Sequence, residues 1–442
     1  MRNQVRNDAL RHLLKAARWT NHSLAAAVNG VGAEADVALH YDRTAVSHWL
    51  AGSRPRPPVP QFVAEALSRR LGRFISPAEA GLTDVSTDGE LPVEKTSGVH
   101  TLRDLVMADL DPRRSALREL PFRAALAVAP GWPGGVPLTS PTVIDQGEAA
   151  NVRVLTSMTS AFAVADQMLG GGNTRFAVVA YLASDVLAQP FPGATNCGSR
   201  ARVSAAAALT QLIGFMSFDN LHHNLAQRYY RAALQLAQEA NDVSRRVVIL
   251  HDMSVQAHFL GHYQYAAQLA EAAIPQTCAP TPPCVRAALL GQAAVCHAAL
   301  ANRRQAFRAL TNAEKSLLQC DPGGQSGDSS GLADLEHRTG LVMAYLRHFR
   351  HAETALADSL RRRPEVQRRS RMLTTYQLAE VQLGRSHMEQ ACVTWQRFLS
   401  EYPYISSARI SVLFTRFRAS LQKHRDNAIV QRVLHQASEM VT

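Results

Sequence analysis

Five windows of eight residues decide the fold: AQRYYRAA (226–233), AAQLAEAA (266–273), AFRALTNA (306–313), AETALADS (352–359) and ACVTWQRF (391–398). Each opens on an alanine, and Ala226, Ala266, Ala306, Ala352 and Ala391 lie 40, 40, 46 and 39 residues apart. Four residues further stand Tyr230, Ala270, Leu310, Leu356 and Trp395, and seven further stand Ala233, Ala273, Ala313, Ser359 and Phe398. Twelve residues before each alanine the residue is small: Gly214, Ser254, Ala294, Gly340 and Ala379. Turns are expected between, at Asp219-Asn220, Gly261, Asn302 and Gly384. Two antiparallel helices pack tightly only where small residues meet, and the larger residue one turn later fills the gap against the next pair. Each pair leaves one apolar face uncovered, so pairs must stack. The Gly/Ser loop from Cys320 to Gly331 accounts for the long spacing, and residues 404–440 are expected to cap the stack.

This pattern resembles the tetratricopeptide repeat, although the period is nearer 40 than 34 and the usual first-helix tryptophan is missing. The resemblance implies that the first helix of each pair lines a concave face. In this register that face carries Gln211, Phe215, His251, Val255, His258, His337, Tyr376 and Glu380. Aromatic, polar and imidazole groups mix along it, and His251 and His337 recur at one equivalent position. A groove so lined is expected to take a peptide or protein segment, to favour acidic partners or to respond to mild acid. The rival expectation is that these residues are partly buried core or plain solvated surface.

The N-terminal 82 residues read differently, as short helices with clear punctuation. Leu10, Leu13, Leu14 and Ala17 have amphipathic spacing. Thr20 or Asn21 can cap a second helix that Gly30 can end, and Asp42 can cap a third that Gly52 can end. Arg54-Pro55-Arg56-Pro57-Pro58 forbids helix and holds the chain extended. A fourth helix is expected over about 60–71, and Ser76-Pro77-Ala78-Glu79 is a capping box for a last short one. In the third helix Val46 and Leu50 share a face expected to be core. Arg43, Thr44, Ser47 and His48 fall toward the other face, near the helix start.

The segments 23–28 (SLAAAV) and 43–52 (RTAVSHWLAG) resemble the repressor-like helix-turn-helix family. With Tyr41-Asp42-Arg43-Thr44 and the run 48–56 (HWLAGSRPR), the whole chain is similar to the helix-turn-helix/tetratricopeptide regulators of filamentous actinobacteria. Such a resemblance implies a regulator of development or secondary metabolism, often repressive. It places the third helix in the major groove of double-stranded DNA, with Arg43, Thr44, Ser47 and His48 toward bases and phosphates and Arg54 and Arg56 on phosphates. One departure is that Gly30 to Tyr41 puts about a dozen residues where the motif has three or four.

Charge is consistent with an anionic partner at this end. The chain of 442 residues carries a net +11, and residues 1–80 hold eleven basic against six acidic side chains. Elsewhere the basic excess is weak evidence, since only four of the 47 basic residues are lysine, an arginine bias expected of a GC-rich genome. None of the six cysteines forms a C-x-x-C pair, residues 1–10 carry no apolar signal core, and no run reaches the roughly 18 uninterrupted apolar residues of a membrane helix. A reduced, cytoplasmic protein is expected, without a membrane.

Enzyme chemistry is not expected. Gly170-Gly171-Gly172-Asn173 lacks the lysine and threonine of a phosphate loop and reads as a link between helices. His258 and His262 are four apart but have no acidic or cysteine partner close in sequence, and Cys278 and Cys284 have no second pair, so no metal and no cofactor is expected. The chain is thus expected to be all-α: a helix-turn-helix domain (1–82), a linker region with one helix near 101–110 (83–142), and a tetratricopeptide-like α-solenoid (143–442) with about five divergent repeats (about 200–401) and a C-terminal cap. The solenoid is expected to receive a signal, bind a partner or pair two copies of the chain. The alternative is a helical-repeat adaptor between proteins that does not bind DNA.

Overall fold

A computed structural model describes residues 6–35, 37–83, 98–111, 120–123, 146–188, 197–276, 281–319 and 328–440. Among them the regular elements are all helical, nineteen α-helices with short 3-10 and π turns. The head begins with α1 (Asp8–Ala17), capped by Asn7 Oδ1 and burying Leu10, Leu13, Leu14 and Ala17, the expected face. Thr20 caps α2 (Asn21–Glu34). Gly30 does not end this helix: it stays out of the left-handed conformation that a stop requires, and Val31 and Gly32 remain buried beyond it. Asp42 caps α3 (Arg43–Leu50), and Gly72, at φ +67°, ends α4 (Val59–Leu71). The capping box at Ser76 makes one turn and no helix. Its Oγ accepts from Glu79 N at 3.0 Å, but the Glu79 carboxylate goes to Arg73 at 2.6 Å instead of closing the box. Val46, Trp49, Phe62, Val63, Leu67 and Ile75 are the head's core.

The expected helix of the linker region is α5 (Gly98–Leu110), but it does not behave as a linker. Leu102, Leu105 and Val106 belong to the same core as the solenoid, and Asp109 holds Arg175 at 2.6 Å and the Tyr229 hydroxyl at 2.8 Å. Residues 84–97, 112–119 and 124–145 lie outside the described residues. Next come α6 (Gln146–Leu169) and α7 (Gly171–Tyr181), which flank the glycine triplet as expected, and a π turn at Leu182–Val186.

Five hairpins follow: α8 (Cys197–Asp219) with α9 (His223–Glu239), α10 (Val243–Phe259) with α11 (Tyr263–Ala273), α12 (Pro283–Ala299) with α13 (Arg303–Leu317), α14 (Asp328–Tyr345) with α15 (Phe349–Arg362), and α16 (Arg368–Gly384) with α17 (Met388–Glu401). All five close on one turn. Leu221, Gly261, Ala301, Arg347 and Ser386 take positive φ, and the next residue's N–H reaches back five positions, as from His262 to Ala257 O at 2.9 Å. This is the Schellman arrangement. Only one of the five has its usual glycine, and the last turn falls at Ser386, two residues beyond the expected Gly384.

The repeat register holds in the packing. Ala226, Ala266, Ala306, Ala352 and Ala391 are all fully buried. A Cβ on Gly214 would meet Tyr230 Cδ1 at 2.8 Å, one on Gly340 would meet Leu356 Cγ at 2.5 Å, and Ser254 Oγ donates to Ala266 O at 2.8 Å. Consecutive pairs therefore stack into an all-α, solenoid-like array. A cap of α18 (Ala408–Leu421) and α19 (Ala428–Glu439) ends it on an aromatic core in which Trp395 stacks on Phe398 and Phe417 at 4.2 and 4.0 Å.

The cap also returns to the start of the array. Ser406 N donates to Leu169 O at 2.7 Å, and Gly172 N donates to Ser406 O at 2.9 Å. Ser407 Oγ donates to Asp219 Oδ1 at 2.9 Å. Buried Arg369 and Arg409 surround Asp219 and Asp166, and the Arg409 guanidinium lies 4.3 Å from the Phe218 ring centre.

Candidate nucleic-acid interface and concave face

The Asp42 carboxylate accepts from Thr44 N at 3.0 Å and Ala45 N at 2.9 Å, fixing the first turn of α3. The hydrogen bond from Ala45 holds the Asp42 carboxyl below the usual range. Val46 and Trp49 anchor the inner face, with Trp49 edge-on to Tyr41 at 5.1 Å. Leu50, expected in the core, is only half-buried; Trp49, three residues after Val46, takes the deeper position against Tyr41. Arg43, Thr44, Ser47 and His48 are exposed together on the outer face, and Arg54 and Arg56 are exposed on the non-helical segment that follows.

The long insertion does not separate α2 from α3. Asn29 Nδ2 donates to Tyr41 O and Asn29 Oδ1 accepts from Tyr41 N, both at 2.9 Å. This pair of hydrogen bonds between residues twelve apart makes the insertion a side excursion. Asn21 Nδ2 then reaches Ser47 Oγ at 3.0 Å, tying the start of α2 to the middle of α3.

The head docks on the array through α4, away from that outer face. Glu65, which is 4 % exposed, lies 2.8 Å from His262 Nε2 and 2.8 Å from Arg69 Nε. Burial pushes the Glu65 carboxyl up, but His262 and Arg69 outweigh it and hold it below the usual range. Phe122 packs on the other side, its ring centre 5.2 Å from His262. His258 and His262 thus do separate work, since His258 Nε2 meets the Tyr345 hydroxyl at 3.0 Å. Among the described residues no group of three His, Cys, Asp or Glu side chains could hold a metal ion.

The residues expected on the concave face lie in different surroundings. Gln211 and Phe215 border a cavity with α6. His251 is spanned by Asp252 at 3.0 Å and Arg338 at 2.7 Å, and His337 Nδ1 lies 2.9 Å from Thr374 Oγ1. Val255 packs against the main core, Tyr376 lies in the C-terminal aromatic cluster, and half-buried Glu380 sits beside Arg416. Arg338 crosses the face from α14 to α10, and Arg369 and Arg409 cross it from the last hairpin and the cap. Sequence reasoning missed Asp166, Asp219, Arg338, Arg369 and Arg409. The legible signal was a lone charge in an apolar helical run, as Asp166 is within AFAVADQML (161–169).

Among the described residues one helix, Gly198–Asp219, is long and apolar enough to cross a membrane by length and composition alone, and 72 % of its apolar window is buried inside the protein. Arg200 and Arg202 near its start, and Ser204, Thr210, Gln211 and Ser217 further along, interrupt its apolar run.

The family model of the SP15 N-terminal domain matches residues 10–83, the extent of the head. No curated protein matches the chain.

Proposed function

We propose that this chain is a sequence-specific DNA-binding regulator of transcription whose helical array senses a signal or partner. The observation that carries the reading is the exposed set Arg43, Thr44, Ser47 and His48 on an Asp42-capped helix whose other face is anchored by Val46 and Trp49, with Arg54 and Arg56 exposed just after. A helix so presented suits the major groove, and arginines on an extended segment suit phosphates. By the resemblance noted above, the targets are genes of development or secondary metabolism, and the protein works in the cytoplasm, singly or as a homodimer on paired half-sites.

The test is immunoprecipitation of the protein with its bound genomic DNA, followed by gel retardation of the recovered fragments. Arg43→Ala is expected to cost about 1–3 kcal/mol and relax sequence preference. Arg54→Ala is expected to weaken all sequences alike and flatten the salt dependence by about one unit. Retardation that neither substitution alters, or no retardation at all, defeats the reading and leaves the protein-protein adaptor.

A further inference from the structure

A cavity of about 570 Å³ lies between α6, α8, α10 and α16. It exists because the facing residues of α6 and α8 are small, among them Ala163, Ala201, Ala205 and Ala208. Three polar atoms on its wall have no hydrogen-bond partner among the described residues: Asp166 Oδ1, Arg245 Nε and Arg369 Nη2, the last ion-paired with Asp166 Oδ2. Asp166 is 1 % exposed; its Oδ2 is 2.7 Å from Arg369 Nη2, whereas Oδ1 has no hydrogen-bond partner among the described residues. Arg245 donates from Nη1 to Gln211 Oε1 at 3.1 Å, whereas its buried Nε has no acceptor among them. Native proteins rarely leave such groups unsatisfied, because a buried donor or acceptor without a partner forfeits its hydration. Apart from the ion-paired Arg369 Nη2, one orphan is an acceptor and the other a donor. The ionisable side chains on the wall are Asp166, Asp252, Arg245 and Arg369, which balance, so a lone cation or anion would unbalance the site.

Asp166 meets Arg369, whose guanidinium lies 4.6 Å from the Phe215 ring centre, while Arg245 is held by Gln211, one turn earlier on α8.

We propose that this cavity is a binding site for a small zwitterion whose ammonium meets Asp166 Oδ1, whose carboxylate meets Arg245 Nε, and whose apolar chain lies along Ala208, Leu212 and Phe215. Burial raises the Asp166 carboxyl above its usual range, against the pull of Arg369, and an arriving ammonium relieves that. The site stands on its own geometry; only its coupling to DNA rests on the regulatory reading.

The experiment is calorimetric titration of the full chain with ε-aminocaproate and γ-aminobutyrate, with hexylamine and hexanoate as single-ended controls. Saturable binding of ε-aminocaproate is expected, with both controls weaker by about tenfold or more, the effect of losing one charge-assisted hydrogen bond. Arg245→Gln should weaken ε-aminocaproate and leave hexylamine unchanged. Asp166→Asn also breaks the pair with Arg369, so Ala208→Trp, which fills the cavity from α8, is the companion variant. It should abolish binding at an unchanged or higher unfolding midpoint. No heat from either zwitterion, equal binding of a control, or binding that survives Ala208→Trp overturns the site. Calorimetric binding without any change in operator retention keeps the site and removes its coupling to DNA.

Discussion

Gly170, Gly171 and Gly172 determine how the two ends of the array meet. Gly170 takes φ +83°, and a Cβ there would lie 2.3 Å from Ser406 O; on Gly171 it would lie 2.8 Å from Met216 O. Those are backbone atoms that cannot swing aside. Gly171→Ala is therefore expected to cost about 1–3 kcal/mol, the range for overpacking a tight contact, read as a lower urea midpoint. An unchanged midpoint would mean that α7 can shift off α8 freely. The enclosed histidines set a pH dependence. Burial, reinforced by Arg363 and Arg338, pushes His337 down to about 3, and burial with Arg338 pushes His258 down to about 4. A histidine depressed in the folded state stays neutral while the unfolded chain takes up its proton, so stability falls as pH drops below about 6.5 toward those values. Urea midpoints measured from pH 7 to 5 should decline, and His337→Gln should flatten the decline. An identical slope in that variant would show that His337 titrates normally.

At the scale of the helix pair, each hairpin rests on a small residue, a buried alanine and a turn that reverses the chain in three residues. Leu221, Ala301, Arg347 and Ser386 hold positive φ without glycine, so the turn is imposed by the packing on both sides and not by local preference. Ala306 shows how tight that packing is, being fully buried where α12 meets α13. Ala306→Trp is expected to force the pair apart at a cost of about 1–3 kcal/mol or more. Hydrogen exchange should rise in 283–317 first. Protection that stays as in the native chain would place Ala306 outside the contact.

At the scale of the molecule, the cap makes the array more than a row of neighbours. In an open solenoid each unit touches only the next, and damage stays local. Here Arg409, 6 % exposed, sits 3.7 Å from Asp219, 190 residues earlier in the chain. Removing one partner of a buried charge pair costs about 3–5 kcal/mol, and the remaining contacts of Asp219 to Arg369 and Ser407 keep Arg409→Ala toward the lower end. The prediction is that exchange rises in 171–219 together with 408–421. A rise confined to the cap would mean that the two ends do not support each other.

Local rules and periodicity were enough to place the repeat helices, their pairing and the outer face of α3, but not the run of α2 past Gly30 or the single turn at Ser76. The repeat spacing put Ala226 through Ala391 in the core because a buried small residue is required wherever two helices touch, and Asp42 marked the start of α3 because a carboxylate satisfies the free N–H groups there. Only the tertiary structure decided that α5 belongs to the array, that Asn29 folds the insertion aside, and that Arg338, Arg369 and Arg409 cross the concave face. Each of those depends on a contact between residues distant in sequence. A charged side chain in a helix carries no local mark of the partner that allows its burial; Arg369 is tolerable inside only because Asp166 and Asp219, some 200 and 150 residues away, are brought to it by the fold.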